Sequence, residues 1–504
     1  MSDRKGHLST FLAGATCCTG AGILLIRGAE GYEGSFLIYL AFNAAFLLLP
    51  VLALPRPRLY VYTFFTAFLF LGFWLKVVVQ AGWDIGYIEP TGDFAGTPAQ
   101  WDAALLLATC AALGVAAARI IHLVLARRSG RHLSPPRHEP APAWFVRYRR
   151  PVWIASIALI AILNALNVQL AFFQIGVHPS LILPLRLNVL TAWLINIGFA
   201  LWVAALVWWE FRARPRSFPV ALVAPMFEAF SSSVSALSRL IYLIHAGPYW
   251  VALWERRRDV GRSLRKTTMT LLTAGFLAFF CMSILLVLLL RVLDYHDFST
   301  LVPRDSANHQ ALTAKERPAL SEKLTLLDDE IVLKHYASVV AYEVPHLFVH
   351  RWIGLEGVLT AVSVPEPGRD LFVAALTDDP KLGYDSFYQR VARSPFVQDR
   401  GGRLTFLSNA GIVAILSFSG SLAVVGLGMM LITGVLLATE WVAERATGNP
   451  FFLAVAAGGL ASVFSQTTFP YLSLIFVLQL WVAIAFVAAA ERLRLGGATL
   501  ERPA

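Results

Sequence analysis

Long apolar runs recur along this chain and constrain its fold more than any other feature. A helix needs about 20 mainly apolar residues to cross a bilayer. Runs that reach or approach this length lie at 8–27, 35–54, 59–80, 103–126, 151–174, 188–211, 269–293, 419–442, 450–466 and 469–491. Only 15% of the residues are charged, whereas soluble domains average about 25%. We therefore predict an all-α polytopic membrane protein with about ten transmembrane helices.

The charges between the apolar runs predict the orientation. Arginines cluster between 127 and 150 and again at Arg212, Arg214 and Arg216, and such clusters mark the cytoplasmic side. The loop from Gly82 to Asp102 has acidic residues, Glu89 among them, and no Lys or Arg. We predict that this loop lies outside and that both termini are cytoplasmic.

The segment 217–253 departs from simple alternation. It is mostly apolar, yet arginines flank it on both sides, so both flanks favour the cytoplasm. We predict a re-entrant hairpin or two paired short helices here, because non-spanning backbone at membrane depth must be buried or line a cavity. Ser231, Ser235 and Arg239 follow at four-residue spacing, which places them on one helical stripe.

The one long hydrophilic segment, 294–403, predicts a large, mainly helical extracytoplasmic loop. Prolines interrupt it and its charges are mixed. The predicted organisation is a first membrane part with seven spans (1–293), this loop domain (294–403), a second membrane part (404–491) and a cytoplasmic tail (492–504).

The stretch from Tyr342 to Gly357 carries titratable groups among apolar ones. Pro345 suits a first helical position, so we expect a helix that places His346 and His350 on one face. No HExxH pattern or third ligand accompanies them, so we predict no metal. The stretch is interpreted either as an interfacial helix with basic and aromatic anchors or as part of a site in which Glu356 or His350 accepts a proton.

Charged residues within apolar runs are the other candidates. Arg239 is costly inside the membrane and usually would face a cavity or partner; the alternatives are snorkelling or a structural pair with Glu228. Lys76 is expected to snorkel near the outer end of its span. Arg186, in an outer loop, is expected to face the same outer chamber as the stretch from Tyr342 to Gly357. Arg369 follows a PEPG turn, which can hold a side chain in place.

Absent motifs exclude several classes. The chain has no Walker loop for ATP and no G-x-S-x-G nucleophile elbow. Its four cysteines lie in apolar runs without metal or redox spacing. We expect neither cofactor nor nucleic-acid partner.

Three stretches resemble bacterial oligosaccharide repeat unit polymerases of the O-antigen polymerase (Wzy-like) type. They are SALSRLIYLIHAGPYW from Ser235, HRWIGLEGVLTAVS from His350 and SFSGSLAVVGLGMML from Ser417. The layout of many spans with one large outer loop late in the chain is also similar.

The resemblance implies glycosyl transfer on the outer face of the bacterial inner membrane, within lipopolysaccharide or related polysaccharide biosynthesis. A glycan would pass from undecaprenyl pyrophosphate to a new lipid-linked repeat unit, without metal or cofactor. Glu356 is then the expected base and His350 the second choice. The expected substrate-binding residues are Arg239, Arg351, Arg186, Ser235, Trp352 and Arg369.

Two other classes remain open at this stage. One is a transporter or flippase of lipid-linked sugars, in which Arg239 would lie along the substrate path. The other is a non-enzymatic membrane assembly protein whose outer loop binds partners. A polymerase would be expected to work beside flippase and chain-length regulator proteins. An outward-open pocket that brings Arg239, Arg351 and Glu356 together would favour the enzyme.

Overall fold

The computed structural model describes the chain as a bundle of helices. Described are residues 19–55, 59–83, 85–87, 89–128, 140–177, 179, 181, 183–184, 187–255, 266–294, 330–346, 349–379, 385–394 and 408–493. Within these residues there is no strand, and the one isolated bridge joins Gln174 to Val177.

The helices are numbered in chain order. They are α1 (19–31), α2 (Phe36–Ala53), α3 (Tyr60–Trp83), α4 (Pro98–Arg128), α5 (Ala143–Leu170), α6 (Leu187–Ala213), α7 (Phe218–Ser235), α8 (Arg239–Glu255), α9 (Lys266–Asp294), α10 (Glu330–His346), α11 (Leu355–Ser363), α12 (Arg369–Thr377), α13 (Phe387–Val391), α14 (Ile412–Ser417), α15 (Leu422–Thr447), α16 (Pro450–Ser465) and α17 (Pro470–Arg492). Two carry a π-helical segment, Phe70–Leu75 in α3 and Leu194–Gly198 in α6.

Helix length and composition confirm a multi-pass helical membrane protein. Among the described residues, 9 helices are long and apolar enough to cross a membrane. They are α2 to α7, α9, α15 and α17. The predicted span 8–27 lies partly outside the described residues, and 450–466 forms a shorter helix. The segment from residue 218 supplies an additional candidate, Phe218–Ser235.

The short helix α16 forms the centre of the bundle. It packs against α3, α6 and α8, and almost every side chain along it is buried. A helix that is apolar on all sides must be surrounded by other helices or lipid. Asn449 starts it, because its side-chain oxygen accepts from the backbone N–H groups of Phe451 and Phe452, at 3.0 Å each.

A carboxylate from α15 starts α3. The side chain of Glu440 accepts hydrogen bonds from the backbone N–H groups of Tyr60 and Val61, each 2.8 Å long. The first N–H groups of a helix have no partner within the helix itself. These two bonds therefore join the start of α3 to α15 at one end of the bundle.

Glu440→Ala is expected to destabilise the protein by about 1–3 kcal/mol because it leaves two buried donors without an acceptor. Glu440→Gln should cost less, since the amide oxygen can still accept. Thermal unfolding in detergent measures both, with the exposed Glu366→Ala as control. A Glu440→Ala protein that melts with the wild type would contradict this role.

Helices α7 and α8 form an antiparallel pair joined by a tight turn. The turn passes through Leu237, whose φ of 54° lies in the left-handed region. Its carbonyl accepts from Arg291 Nη2 near the end of α9, at 2.9 Å. The carbonyl of Ser235 accepts from Asn167 Nδ2 near the end of α5, also at 2.9 Å. The turn thus lies beside the carboxyl ends of α5 and α9, and Arg239 starts α8 immediately after it.

The expected helix opening at Pro345 is wrong. Helix α10 runs from Glu330 to His346, so Pro345 lies at its end rather than its start. Residues 349–352 form a turn, and the next helix begins only at Leu355. His346 and His350 therefore do not share a helical face. The reason is tertiary: the backbone at Ile353 and Gly354 is pressed against α3, which holds the chain in a non-helical path.

Candidate functional site

A buried ion pair joins α11 to α3. Glu356, the second residue of α11, is 3% exposed, and Lys76 on α3 is fully buried. Lys76 Nζ donates to Glu356 Oε1. Removing two opposite charges from water costs several kcal/mol per ion, and that cost is recovered only with good geometry. Such a pair needs a fixed surrounding structure.

Two close backbone approaches fix that surrounding structure. A Cβ on Gly72, in the π-helical segment of α3, would lie 2.3 Å from the carbonyl oxygen of Ile353. A Cβ on Gly357 would lie 1.9 Å from the carbonyl oxygen of Ala410. Neither position has room for a side chain. The start of α11 is therefore held between α3 and the segment that leads into α14, with Glu356 between these contacts.

The loop between α3 and α4 covers the pair from another side. The carbonyl of Pro90 accepts from Thr360 Oγ1 on α11, at 3.4 Å. The backbone N–H of Gly92 donates to Ala392 after α13, at 3.1 Å. Asp93 forms an exposed ion pair with Arg393, 2.5 Å long. These contacts hold the loop, and with it Glu89, against α11 and α13.

Glu89 is the third charged group of this site. Its side chain is half-buried, and the charges of Lys76, Arg351 and Glu356 all act on it. Burial, and then the charge of Glu356, raise the pKa of Glu89 to about 7, while Lys76 and Arg351 oppose the shift. The side chain therefore exchanges its proton near neutral pH, as a general acid or base must.

Arg351 brings a second cation to the same place. It lies in the turn before α11, half-buried, beside His350, which is 8% exposed. The ring centroid of the neighbouring Trp352 lies 5.8 Å from the ring centroid of Phe68 on α3. Lys76, Glu89, Arg351 and Glu356 are called the charged cluster below.

Two buried polar side chains border the charged cluster. Tyr388 on α13 is 2% exposed, and its hydroxyl lies 3.3 Å from Thr360 Oγ1. Burial raises the pKa of Tyr388 above its ordinary value, so the phenol is neutral near pH 7. Gln80, 5% exposed, follows Lys76 by one helical turn on the same face of α3. Within the described residues neither atom of its amide group has a hydrogen-bond partner, which buried amides almost always have.

Arg239 lies in different surroundings from Arg351. It starts α8, whose packing partners are α7, α9 and α16, whereas α11 packs against α4 and α14. Ser235 is buried and donates to Asn164 of α5, so it joins two helices. Asn164 and Asn167 of α5 therefore both make interhelical hydrogen bonds to the end of α7, as polar side chains between membrane helices commonly do.

The other predicted residues lie apart. Arg369 is exposed at the start of α12, and Arg186 lies outside the described residues. Glu228 approaches His245 of α8, with 3.1 Å between Glu228 Oε1 and His245 Nδ1. Both side chains are almost completely buried. The part of the chain that the structure describes contains no group of three or more potential metal-ligating His, Cys, Asp or Glu residues.

The expectation for Lys76 is wrong. Its ammonium group does not snorkel to the interface, because Glu356 holds it at a fully buried position. Glu89 had served only as a marker of orientation, and neither Gln80 nor Tyr388 had been singled out. The available signal was a lysine inside an apolar run together with Glu356 in another apolar stretch, since each buried charge needs an opposite one.

Comparisons with protein-family models, curated proteins and solved structures give no match for this chain. By its fold and its site, the chain is a multi-pass helical membrane protein. Two cations and two carboxylates come together where a loop, a turn and two helices meet.

Proposed function

We propose that this protein is a membrane glycosyltransferase that polymerises oligosaccharide repeat units carried on undecaprenyl pyrophosphate. The reaction takes place on the outer face of the bacterial inner membrane. The observation that carries the proposal is the charged cluster. Arg351 and Lys76 provide positive charge for a diphosphate, and Glu89 and Glu356 provide carboxylates for an acceptor hydroxyl.

The chemistry of glycosyl transfer suits such a set of groups. A departing diphosphate gains negative charge in the transition state, and fixed cations stabilise that charge. Charge-assisted hydrogen bonds from arginine to phosphate are among the stronger ones in proteins. The acceptor hydroxyl has to lose a proton, which a carboxylate takes. None of these steps requires a metal.

The predicted orientation places the cluster on the correct side. Arginine-rich segments precede α5 and follow α6, and the positive-inside rule assigns them to the cytoplasm. The loop that contains Glu89 is then extracytoplasmic, as is the segment from α10 to α14. In this orientation α7 and α8 form a pair whose outer ends both lie on the cytoplasmic side, with the turn and Arg239 toward the outer face. Arg239, Arg186 and Arg369 remain candidates for contacts with the lipid carrier or the glycan.

Deleting the gene tests the proposal. The expected result is surface glycan capped with single repeat units, seen as loss of the long-chain ladder on a gel, together with accumulation of lipid-linked repeat units. A plasmid copy should restore the ladder. Long chains that persist in the deletion strain would overturn the enzyme.

A transporter or flippase of lipid-linked sugars is the second candidate, and one observation favours it. Glu228 and His245 are almost completely buried between α7, α8 and the π-helical segment of α6. Titratable pairs inside the membrane often relay protons in transporters. In that case the deletion strain would lack even single repeat units on its glycan, and lipid-linked units would collect on the cytoplasmic leaflet.

A further inference from the structure

The two carboxylates of the charged cluster have unequal surroundings. Glu356 accepts from the fully buried ammonium group of Lys76. If Glu356 took a proton, the ion pair would be lost and Lys76 would be left with a buried charge, which costs several kcal/mol. Glu356 is therefore poorly suited to exchange protons during each reaction cycle.

Glu89 has the properties that Glu356 lacks. It lies on a loop rather than in a helix, and it is half-buried, so both a substrate hydroxyl and water can reach it. The positive charge of Arg351 acts on it. A diphosphate held by Arg351 would thus lie near the carboxylate that receives the acceptor's proton.

We propose that Glu89 is the catalytic base of the glycosyl transfer, and that Lys76 and Glu356 are positioning residues that hold a fixed charge beside it. This inference rests on the function proposed above and changes the role first expected of Glu356.

The step balances without a further reactant. The acceptor hydroxyl oxygen attacks the anomeric carbon of the donor glycan, and its proton passes to the Glu89 carboxylate. The bond between that carbon and the diphosphate oxygen breaks, and the diphosphate leaves with the electron pair beside Arg351. Glu89 then releases the proton to water, which the partial exposure of its side chain allows.

The groups around Glu89 determine its response to pH. They are Lys76 from α3, Arg351 from the turn before α11, Glu356 from α11 and Tyr388 from α13; Asp93 lies on its own loop and pairs with Arg393. Burial and the Glu356 charge raise the pKa of Glu89 to about 7. Because the carboxylate is the active form, polymerisation should increase as pH rises through about 7.

Infrared difference spectroscopy on the purified full-length protein tests the titration without any substrate. The wild type should show a protonated-carboxyl band that disappears with a midpoint near pH 7. Glu89→Gln should abolish the component of the band that has this midpoint. Glu356→Gln should move the midpoint to lower pH, Arg351→Gln should move it to higher pH, and Glu366→Gln, at an exposed position away from the cluster, should leave it unchanged. A component with this midpoint that persists in Glu89→Gln, or a midpoint that is unchanged by the Glu356 and Arg351 substitutions, would overturn the inference.

Complementation of the deletion strain tests the catalytic role. Glu89→Gln is expected to lower polymerisation by about 100-fold or more, at a normal membrane protein level, whereas the exposed Glu366→Gln restores the ladder. If Glu89→Gln gives full-length chains where the empty vector gives none, Glu89 is not the base although the polymerase function holds. If the deletion strain itself keeps long chains, glycosyl transfer fails, whatever the infrared titration of Glu89 shows.

Discussion

Replacing Lys76 with methionine is expected to destabilise the protein by about 3–5 kcal/mol, because it leaves the Glu356 carboxylate buried without its counterion. Lys76 is fully buried and Glu356 is 3% exposed, so water cannot take over the lost interaction. The measurement is thermal unfolding in detergent, together with the amount of protein in the membrane. Both should fall strongly.

The double variant Lys76→Met/Glu356→Gln separates charge from packing. It removes both charges while keeping similar volumes, so most of the stability should return, as is common when a whole buried pair is replaced. Lys334→Met, at an exposed position on α10, is the control. If Lys76→Met alone melts with the wild type, or if the double variant is as unstable as the single one, the buried pair does not stabilise the fold.

The membrane fold was largely readable from the sequence because crossing a bilayer imposes a length and a composition that few other structures need. The apolar runs predicted eight of the nine long helices, with ends that agree to within five residues except for α5, which begins eight residues before the predicted start. The ninth, Phe218–Ser235, lies in the segment for which the basic flanks predicted either a re-entrant hairpin or two paired short helices. The first apolar run lies partly outside the described residues.

The charged cluster was only partly predictable, because its members come from separate parts of the chain. Glu356 and Arg351 were candidates from their spacing within one stretch. Glu89 lies on a loop with no periodic pattern. Nothing in its local sequence indicates that the carbonyl of Pro90 accepts a hydrogen bond from Thr360, the contact that brings Glu89 near Glu356. The position of the Lys76 ammonium group was predicted wrongly, because a snorkelling lysine and an ion-paired lysine differ only in their tertiary contacts.

Both π-helical segments occur next to buried polar groups. Phe70–Leu75 directly precedes Lys76, and Leu194–Gly198 contains Asn196, whose carbonyl accepts from His245 Nε2 at 2.7 Å. A π-helical turn adds a residue and frees a carbonyl from the regular ladder, and such turns are frequent at functional sites. In this bundle one π-helical segment directly precedes the lysine that pairs with α11. The other supplies the carbonyl that accepts from His245.

Arg351→Ala is expected to shorten the surface glycan to single repeat units while the protein inserts normally. Arg351 is half-buried in a turn rather than fully enclosed, so its loss should disturb the fold less than that of Lys76. If its guanidinium binds the departing diphosphate, removing it should slow transfer by about 10²–10³-fold, the usual effect of losing one transition-state donor. The glycan ladder and the membrane protein level are measured in the same complemented strain.

Arg390→Ala is the matched control for Arg351→Ala. Arg390 is also a basic residue of the segment between α9 and α15, but it is exposed, and its guanidinium donates to the nearby carbonyl of Asp385, at 2.7 Å. Chain length should be unchanged in this variant. Arg351→Lys should recover part of the activity, because it keeps the charge but loses the two-pronged donor geometry. Full-length glycan with Arg351→Ala would remove Arg351 from the site, and loss of the protein itself would make its role structural.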